Sequence, residues 1–316
     1  MAAGASEPRL APARATWHRV VDRSQMSFKW FAFATVADDA RRLRYQQVLR
    51  RVHARTVRTR TEAAAAMGPA VLAIPPEVGY VVDTDGRLGD TSEAVAEVRR
   101  LAADLAPPDE AEASKPYLHD YPVIDLEPGS PLAELACREA IVSAASAYLG
   151  LLPVLASINI LRSPYRAGPP AGSQLFHCDW EDVRQVKVFV HCSDVDLAGG
   201  PLTAVAAAAS SRVKHQVGYR YGGGGFRLGD EEVLPRVEAT DVQAFTGPAG
   251  GVTVIDTSSC LHYGSRLEAG AEPRLVVQFQ YLAPTAFDLT VGGRRRPSPI
   301  RRDGSGGDVA RLLVGG

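Results

Sequence analysis

The sequence predicts a mainly β fold with helical decoration, a jelly roll preceded by N-terminal helices. Three observations predict it. After Pro153 the chain breaks into short β-branched runs separated by Gly, Pro and Asp, the pattern of a sandwich or barrel. Before Pro153 the apolar residues recur at helical spacing, and nowhere do helices and strands alternate as βαβ units. The chain is 316 residues long with 46% hydrophobic and 22% charged residues, enough to close one large core and far from the composition of disorder.

The first dozen residues, rich in Ala, Pro and Arg, read as a frayed tail. Residues 38–66 read as a helix capped by Asp38 or Asp39, with Tyr45, Val48, Leu49 and Val52 forming one apolar stripe. Its other face carries Arg41, Arg42, Arg50, Arg51, Arg55, Arg58 and Arg60, read as a solvated basic face or, alternatively, a site for an anionic partner. Gly79–Val82 reads as a short strand closed by the Asp85-Gly86 turn. A helix from Thr91 to Ala106 follows, with Asp90 and Glu93 in capping-box spacing and Pro107-Pro108 as its stop. A third helix spans Pro131–Tyr148 and ends at Gly150.

The expected strands are Ala156–Leu161, Gln174–Asp179, Gln185–His191, Leu202–Val205, Val252–Asp256 and Leu275–Leu282. The connection from Ser210 to Thr246 reads as long and mobile, with Gly222–Gly225 as a lid over the barrel mouth, since the tetrad lacks the frame of a phosphate loop. The segment from Arg294 to Gly316 reads as a flexible tail. These boundaries suggest an Arg-rich helical extension over 1–75, a β domain over 76–290 and a C-terminal tail over 291–316.

A formal net charge of −1 leaves no basic field for nucleic acid. No run of 18 apolar residues exists, since Leu149–Leu161 is broken by Pro153, Ser157 and Asn159, and the N-terminus offers no apolar leader, so no membrane partner and a cytoplasmic location are expected. Cys137, Cys178, Cys192 and Cys260 lie far apart, which predicts buried free thiols. Alternation turns Cys178 away from the face shared by its neighbours.

Chemistry concentrates in Phe176-His177-Cys178-Asp179-Trp180-Glu181. In extended chain, residues two apart share a face, so His177 and Asp179 place an imidazole and a carboxylate side by side. A third donor is available from His262, just beyond the strand that ends at Asp256. Two histidines and one carboxylate on one face of an octahedron suit non-haem Fe(II). Among the remaining histidines, His18, His53 and His119 fall in the N-terminal part, His215 in the mobile connection, and His191 reads as a core or rim residue. Arg274 opens a strand twelve residues after His262, where a guanidinium can grip a carboxylate bidentately. Lys187 lies in an apolar strand, so its ammonium points either into the barrel toward a carboxylate or out along the rim to water. Trp180 is expected either to wall a pocket or simply to pack.

H-x-D, a second His 85 residues later and Arg twelve beyond it resemble the phytanoyl-CoA dioxygenase family of Fe(II)- and 2-oxoglutarate-dependent oxygenases. Ile158-Asn159-Ile160, His177-Cys178-Asp179-Trp180-Glu181 and Gly200-Pro201-Leu202 resemble its ectoine hydroxylase branch. The resemblance covers roughly 78–285. It implies a double-stranded β-helix, cupin-like, in which His177, Asp179 and His262 bind iron, Arg274 and Ser265 hold the distal carboxylate of 2-oxoglutarate, and Asn159 reaches the cosubstrate. It further implies O₂ as co-reactant and oxidation of a C–H bond in a small molecule, free or linked to coenzyme A or a carrier. Hydroxylation is favoured over halogenation, because related halogenases lack the carboxylate that Asp179 provides. Desaturation, cyclisation and epimerisation begin with the same abstraction. A natural-product tailoring role fits the bacterial-looking composition. The alternatives of another class are a non-oxidising jelly-roll metal protein, such as a cupin isomerase or a small-molecule binder, which has no need of Arg274, and an interaction protein docking through the Arg-rich helix.

Overall fold

The computed structural model describes residues 9–10, 38–105, 115–221, 226–290, 298–301 and 308–314. Two antiparallel sheets form its centre. The larger has seven strands in the order β1-β3-β4-β10-β5-β8-β2: β1 is Arg9–Leu10, β2 Tyr80–Asp83, β3 His119–Ile124, β4 Val154–Ser163, β5 Val186–His191, β8 Val252–Ile255 and β10 Arg274–Leu282. The smaller joins β7 (Val242–Ala244), β6 (Thr203–Val205) and β9 (His262–Tyr263). Paired isolated bridges, Phe176 with Leu228 and His177 with His262, carry the smaller sheet further. This is the double-stranded β-helix.

Period-two alternation gives the large sheet two different faces. On β4, β5 and β10, Ile158, Ile160, Val188, Val190, Val277 and Phe279 point outward into one core with Val98, Leu132, Leu135 and Ile141 of the covering helices. The intervening residues Asn159, Lys187, Phe189, Gln278 and Gln280 point the other way and line a cavity between the sheets. Register sets them side by side, because Gln278 opposes both Asn159 and Phe189, and Gln280 opposes both Ser157 and Lys187.

The covering helices are α3 (Ser92–Ala103), α4 (Pro131–Cys137) and α5 (Glu139–Leu149), preceded in the chain by α1 (Asp39–Val52) and α2 (Ala54–Ala66). Ser130 caps α4 by accepting from Ala133 N, with Pro131 in its first turn. Arg138 interrupts the single helix expected over Pro131–Tyr148, its guanidinium donating to the carbonyls of Leu88 and Asp90. Gly150 ends α5 at φ 73°, as the sequence suggests. Asp90 bonds Ser92 N and Oγ, an Asx arrangement in place of the expected capping box.

Several expectations are corrected. The helix over 38–66 breaks at His53, and although Asp38 caps it, its buried residues are Arg42, Gln46 and Arg60. Tyr45, Val48 and Val52 are exposed. The helix docks on backbone carbonyls that want donors, which inverts the amphipathic reading. Gln174–Asp179 is not a regular strand but a 3₁₀ turn, Gly172–Gln174, followed by single bridges. The Ser210–Thr246 connection is largely ordered: α6 (Ala207–Val217), which carries His215, α7 (Asp230–Val233) and β7 occupy it. The glycine lid at 222–225 lies outside the described residues, as do His18, Pro107-Pro108 and Arg294–Arg296. Near the C-terminus, Asp308–Leu313 is a helix whose Leu313 is buried in the main core. At the other end, Arg9–Leu10 pairs with β3. No described helix is long and apolar enough to cross a membrane.

Candidate metal centre

His177 and His262 sit directly opposite each other and exchange both backbone hydrogen bonds, at 3.0 and 2.9 Å, so their side chains share a face. Asp179 is held beside them by donation from its N–H to Thr257 O at 2.8 Å. Each Asp179 carboxylate oxygen faces one imidazole: Oδ1 lies 3.8 Å from His177 Nε2 and Oδ2 3.8 Å from His262 Nε2. One donor atom from each residue falls within 4.8 Å of the others, close enough for one ion.

The tautomers suit a metal. His177 Nδ1 lies 2.9 Å from Leu175 O and His262 Nδ1 3.0 Å from Cys260 O. A carbonyl only accepts, so each Nδ1 carries the proton and each Nε2 presents its lone pair inward. Burial pushes both imidazoles below the usual histidine range, for His177 with the charges of His262 and Arg227 adding to it. Neutral imidazoles are what metal binding requires. Burial alone would raise the Asp179 carboxyl, but Lys187, and after it His262 and His177, hold it well below the usual range. The set of two neutral imidazoles and one carboxylate fits Fe(II).

Lys187 points inward, donating from Nζ to Asp179 Oδ2 at 2.7 Å, which settles its orientation against the rim alternative. Its alternation partner Gln185 donates to the Glu181 carboxyl and accepts from Gln280 Nε2. Burial, then the Asp179 charge, raises the Glu181 carboxyl. Cys178 turns away into an apolar cluster, fully buried, its thiol pushed up to about 12 by burial. Cys192 and Cys260 are also buried and free, and Cys137 is half-buried and free. His191 is buried on β5, outside the group of three.

The cavity beyond the triad has a volume of about 270 Å³. On its wall Arg274, 8% exposed, directs Nη2 to Ser265 Oγ at 3.2 Å and Ser163 Oγ at 3.3 Å, while its Nε has no partner among the described residues. The two hydroxyls lie 2.8 Å apart. Ser265 adopts φ 64°, a left-handed conformation that brings its hydroxyl back under the guanidinium. Burial lowers Arg274 to about 10, leaving it charged at neutral pH. Asn159 lines the same cavity and donates to Asp120 Oδ1 at 2.5 Å. Trp180 also lines it, half-buried.

Sequence reasoning missed Ser163, Asp120 and Arg227. Ser163 follows from register alone, since it opposes Arg274 across β4 and β10. It also missed that the N-terminal helix touches the site: Arg42 is 2% exposed, packs its guanidinium 3.8 Å over Tyr221, and bonds the turn that follows Asp179.

No protein-family model matches the chain, and no curated protein matches it. Among solved structures the chain is similar to EctD from S. alaskensis with bound Fe, over 76% of this chain and 86% of that chain, at 18% identity and TM-score 0.48. It is similar to the epimerase SnoN in complex with Fe3+, alpha ketoglutarate and nogalamycin RO, over 79% of this chain and 93% of that one, at 18% identity and TM-score 0.45. It is also similar to HygX from Streptomyces hygroscopicus with nickel, 2-oxoglutarate and hygromycin B bound, over 66% and 84%, at 16% identity and TM-score 0.44.

Proposed function

We propose that the chain is an Fe(II)- and 2-oxoglutarate-dependent oxygenase that oxidises a C–H bond of a small-molecule metabolite. One observation carries the reading: a His177, Asp179, His262 donor set lines one cavity with a buried guanidinium, Arg274, that bonds two hydroxyls. When bound, Fe(II) with 2-oxoglutarate supplies oxidising power by coupling O₂ consumption to decarboxylation, releasing succinate and CO₂.

The chain's residues then divide the work. Leu175 O and Cys260 O fix the two imidazoles, and Lys187 holds the Asp179 carboxylate in its ionised form and orientation. Arg274 receives the distal carboxylate of the cosubstrate in two charge-assisted hydrogen bonds, with Ser265 and Ser163 orienting the fork. Asn159 supplies an amide along the cosubstrate's length. Asp179 fills the position that a halide needs, so hydroxylation is favoured over halogenation. A tailoring step in natural-product biosynthesis is the setting we favour.

A non-oxidising jelly-roll protein has no use for Arg274, and whereas the similarly buried Arg60 is met by three backbone carbonyls, Arg274 meets only two hydroxyls among the described residues, which leaves it an anion to receive. The test is anaerobic titration of the Fe(II) protein with 2-oxoglutarate, followed by the visible charge-transfer band of the chelate. Wild type should bind, and Arg274→Ala should bind about 10²-fold more weakly, with Arg274→Lys recovering part. Absence of binding to the wild type, or equal binding to Arg274→Ala, overturns the reading.

A further inference from the structure

We propose that Arg227 holds an anionic group of the substrate, a carboxylate or a phosphate ester, beside the metal ligands. The proposal rests on the oxygenase reading for the purpose of the cavity and adds the charge of what enters it.

The placement of Arg227 follows from strand pairing. Phe176 and Leu228 exchange both backbone hydrogen bonds, at 3.0 and 2.9 Å, and both side chains are buried in one apolar cluster. Arg227 precedes Leu228 in the chain, and the Phe176–Leu228 bridge sets it beside the segment that carries His177. Since successive residues alternate faces and opposed residues share one, Arg227 turns toward the cavity together with His177. His177 is in turn opposed by His262, and both line one cavity with Arg227. Arg227 lines the cavity that holds the triad.

Its environment calls for an anion. Nη1 is shielded from solvent and has no hydrogen-bond partner among the described residues. The guanidinium packs over the Phe226 ring at 4.7 Å, and that ring lies 6.3 Å from the His177 ring, which limits the directions the fork can take. Of the other cations on the cavity, Lys187 is paired with Asp179, and Arg274 is the one the proposed function assigns to the cosubstrate. A desolvated guanidinium nitrogen with nothing to donate to is costly, and an oxyanion from a ligand meets both its charge and its geometry. Trp180 and Phe226 line the same cavity among mostly polar side chains, so a compact aromatic molecule with one anionic group is a suitable probe.

The test uses the full chain loaded with redox-inert Ni(II) and 2-oxoglutarate, titrated calorimetrically with benzoate, phenyl phosphate and the neutral benzamide. In wild type the better anion should bind at least about tenfold more tightly than benzamide, a difference of one charge-assisted hydrogen bond. Whichever anion is preferred identifies carboxylate or phosphate. Arg227→Gln should bring all three probes within about twofold of each other while leaving 2-oxoglutarate affinity within about twofold, and Arg227→Lys should keep part of the preference. Equal binding of benzamide, no binding of either anion, a preference that survives Arg227→Gln, or a tenfold loss of 2-oxoglutarate affinity in that variant overturns the proposal. Failure of wild type to take up 2-oxoglutarate is instead failure of the oxygenase reading, and the anion preference is then read on the Ni(II) form alone.

Discussion

Arg42 donates from Nη2 to the backbone carbonyl of Asp182 at 2.7 Å, and to that of Trp180 at 3.1 Å, across some 140 residues of chain. These carbonyls belong to the turn that leaves Asp179, so a helix far away in sequence holds one end of the metal-binding segment. Arg60 is its natural control, equally buried and also bonded to carbonyls, those of Leu152, Pro153 and Leu312, but remote from the triad. Both Arg42→Ala and Arg60→Ala should lower the melting temperature. Only Arg42→Ala should weaken Co(II) binding, by about tenfold, the lower end of what lost support around metal ligands costs. Equal Co(II) affinity in the two variants would show that Arg42 merely packs.

Lys187 and Asp179 make a half-buried pair in which one partner is also a candidate metal donor. Lys187→Met should leave the carboxylate without its fixed partner and reduce Co(II) affinity by about 10- to 100-fold. Lys187→Arg should restore less than half of that loss on a logarithmic scale, because the planar fork does not fit where a compact ammonium sits. Competition titration against a chromophoric chelator measures both.

The strands that form the large sheet were legible because each is a β-branched run bounded by turn residues, and β4, β5, β8 and β10 fall within a few residues of where the runs predict. The two-residue β9 and three-residue β7 carry no such run and exist only through their pairing with β6. His177, Asp179 and His262 were legible as a spacing. Ser163 and Arg227 were not, since what brings them to the cavity is the opposition of Ser163 to Arg274 and the pairing of Leu228, next to Arg227, with Phe176, and register is not written in local sequence. The N-terminal helix was misread for a physical reason: periodicity assumes an apolar partner surface, whereas Arg42 and Gln46 meet carbonyls and a carboxylate.

Ser163 and Ser265 stand 2.8 Å apart under Arg274. If they orient the fork, Ser163→Ala and Ser265→Ala should each weaken 2-oxoglutarate binding by roughly three- to tenfold, the range of one hydrogen bond. The losses should be less than additive in the double variant, because the hydroxyls share one partner. Arg274→Ala should make further loss of either hydroxyl nearly silent. Full additivity on that background would mean the serines act elsewhere.

Asp182 gives a pH test of the same docking. Its side chain is fully buried, and burial raises its carboxyl to about 7, although Val183 N–H, the Arg42 charge and Gln46 Nε2 act the other way. A carboxyl whose folded value lies above its unfolded value binds its proton more tightly in the folded state. Its contribution to stability is therefore complete below the unfolded value near 4 and is lost as pH rises to about 7. Asp182→Asn retains an acceptor for Val183 N–H and never ionises. Relative to wild type, the variant should gain stability steadily from about pH 4 to pH 7 and by a constant few kcal/mol above that. Urea unfolding of both proteins across this range measures the difference; a flat difference would show that folding does not shift the Asp182 carboxyl, and one that shrinks as pH rises would show that the folded protein holds it ionised.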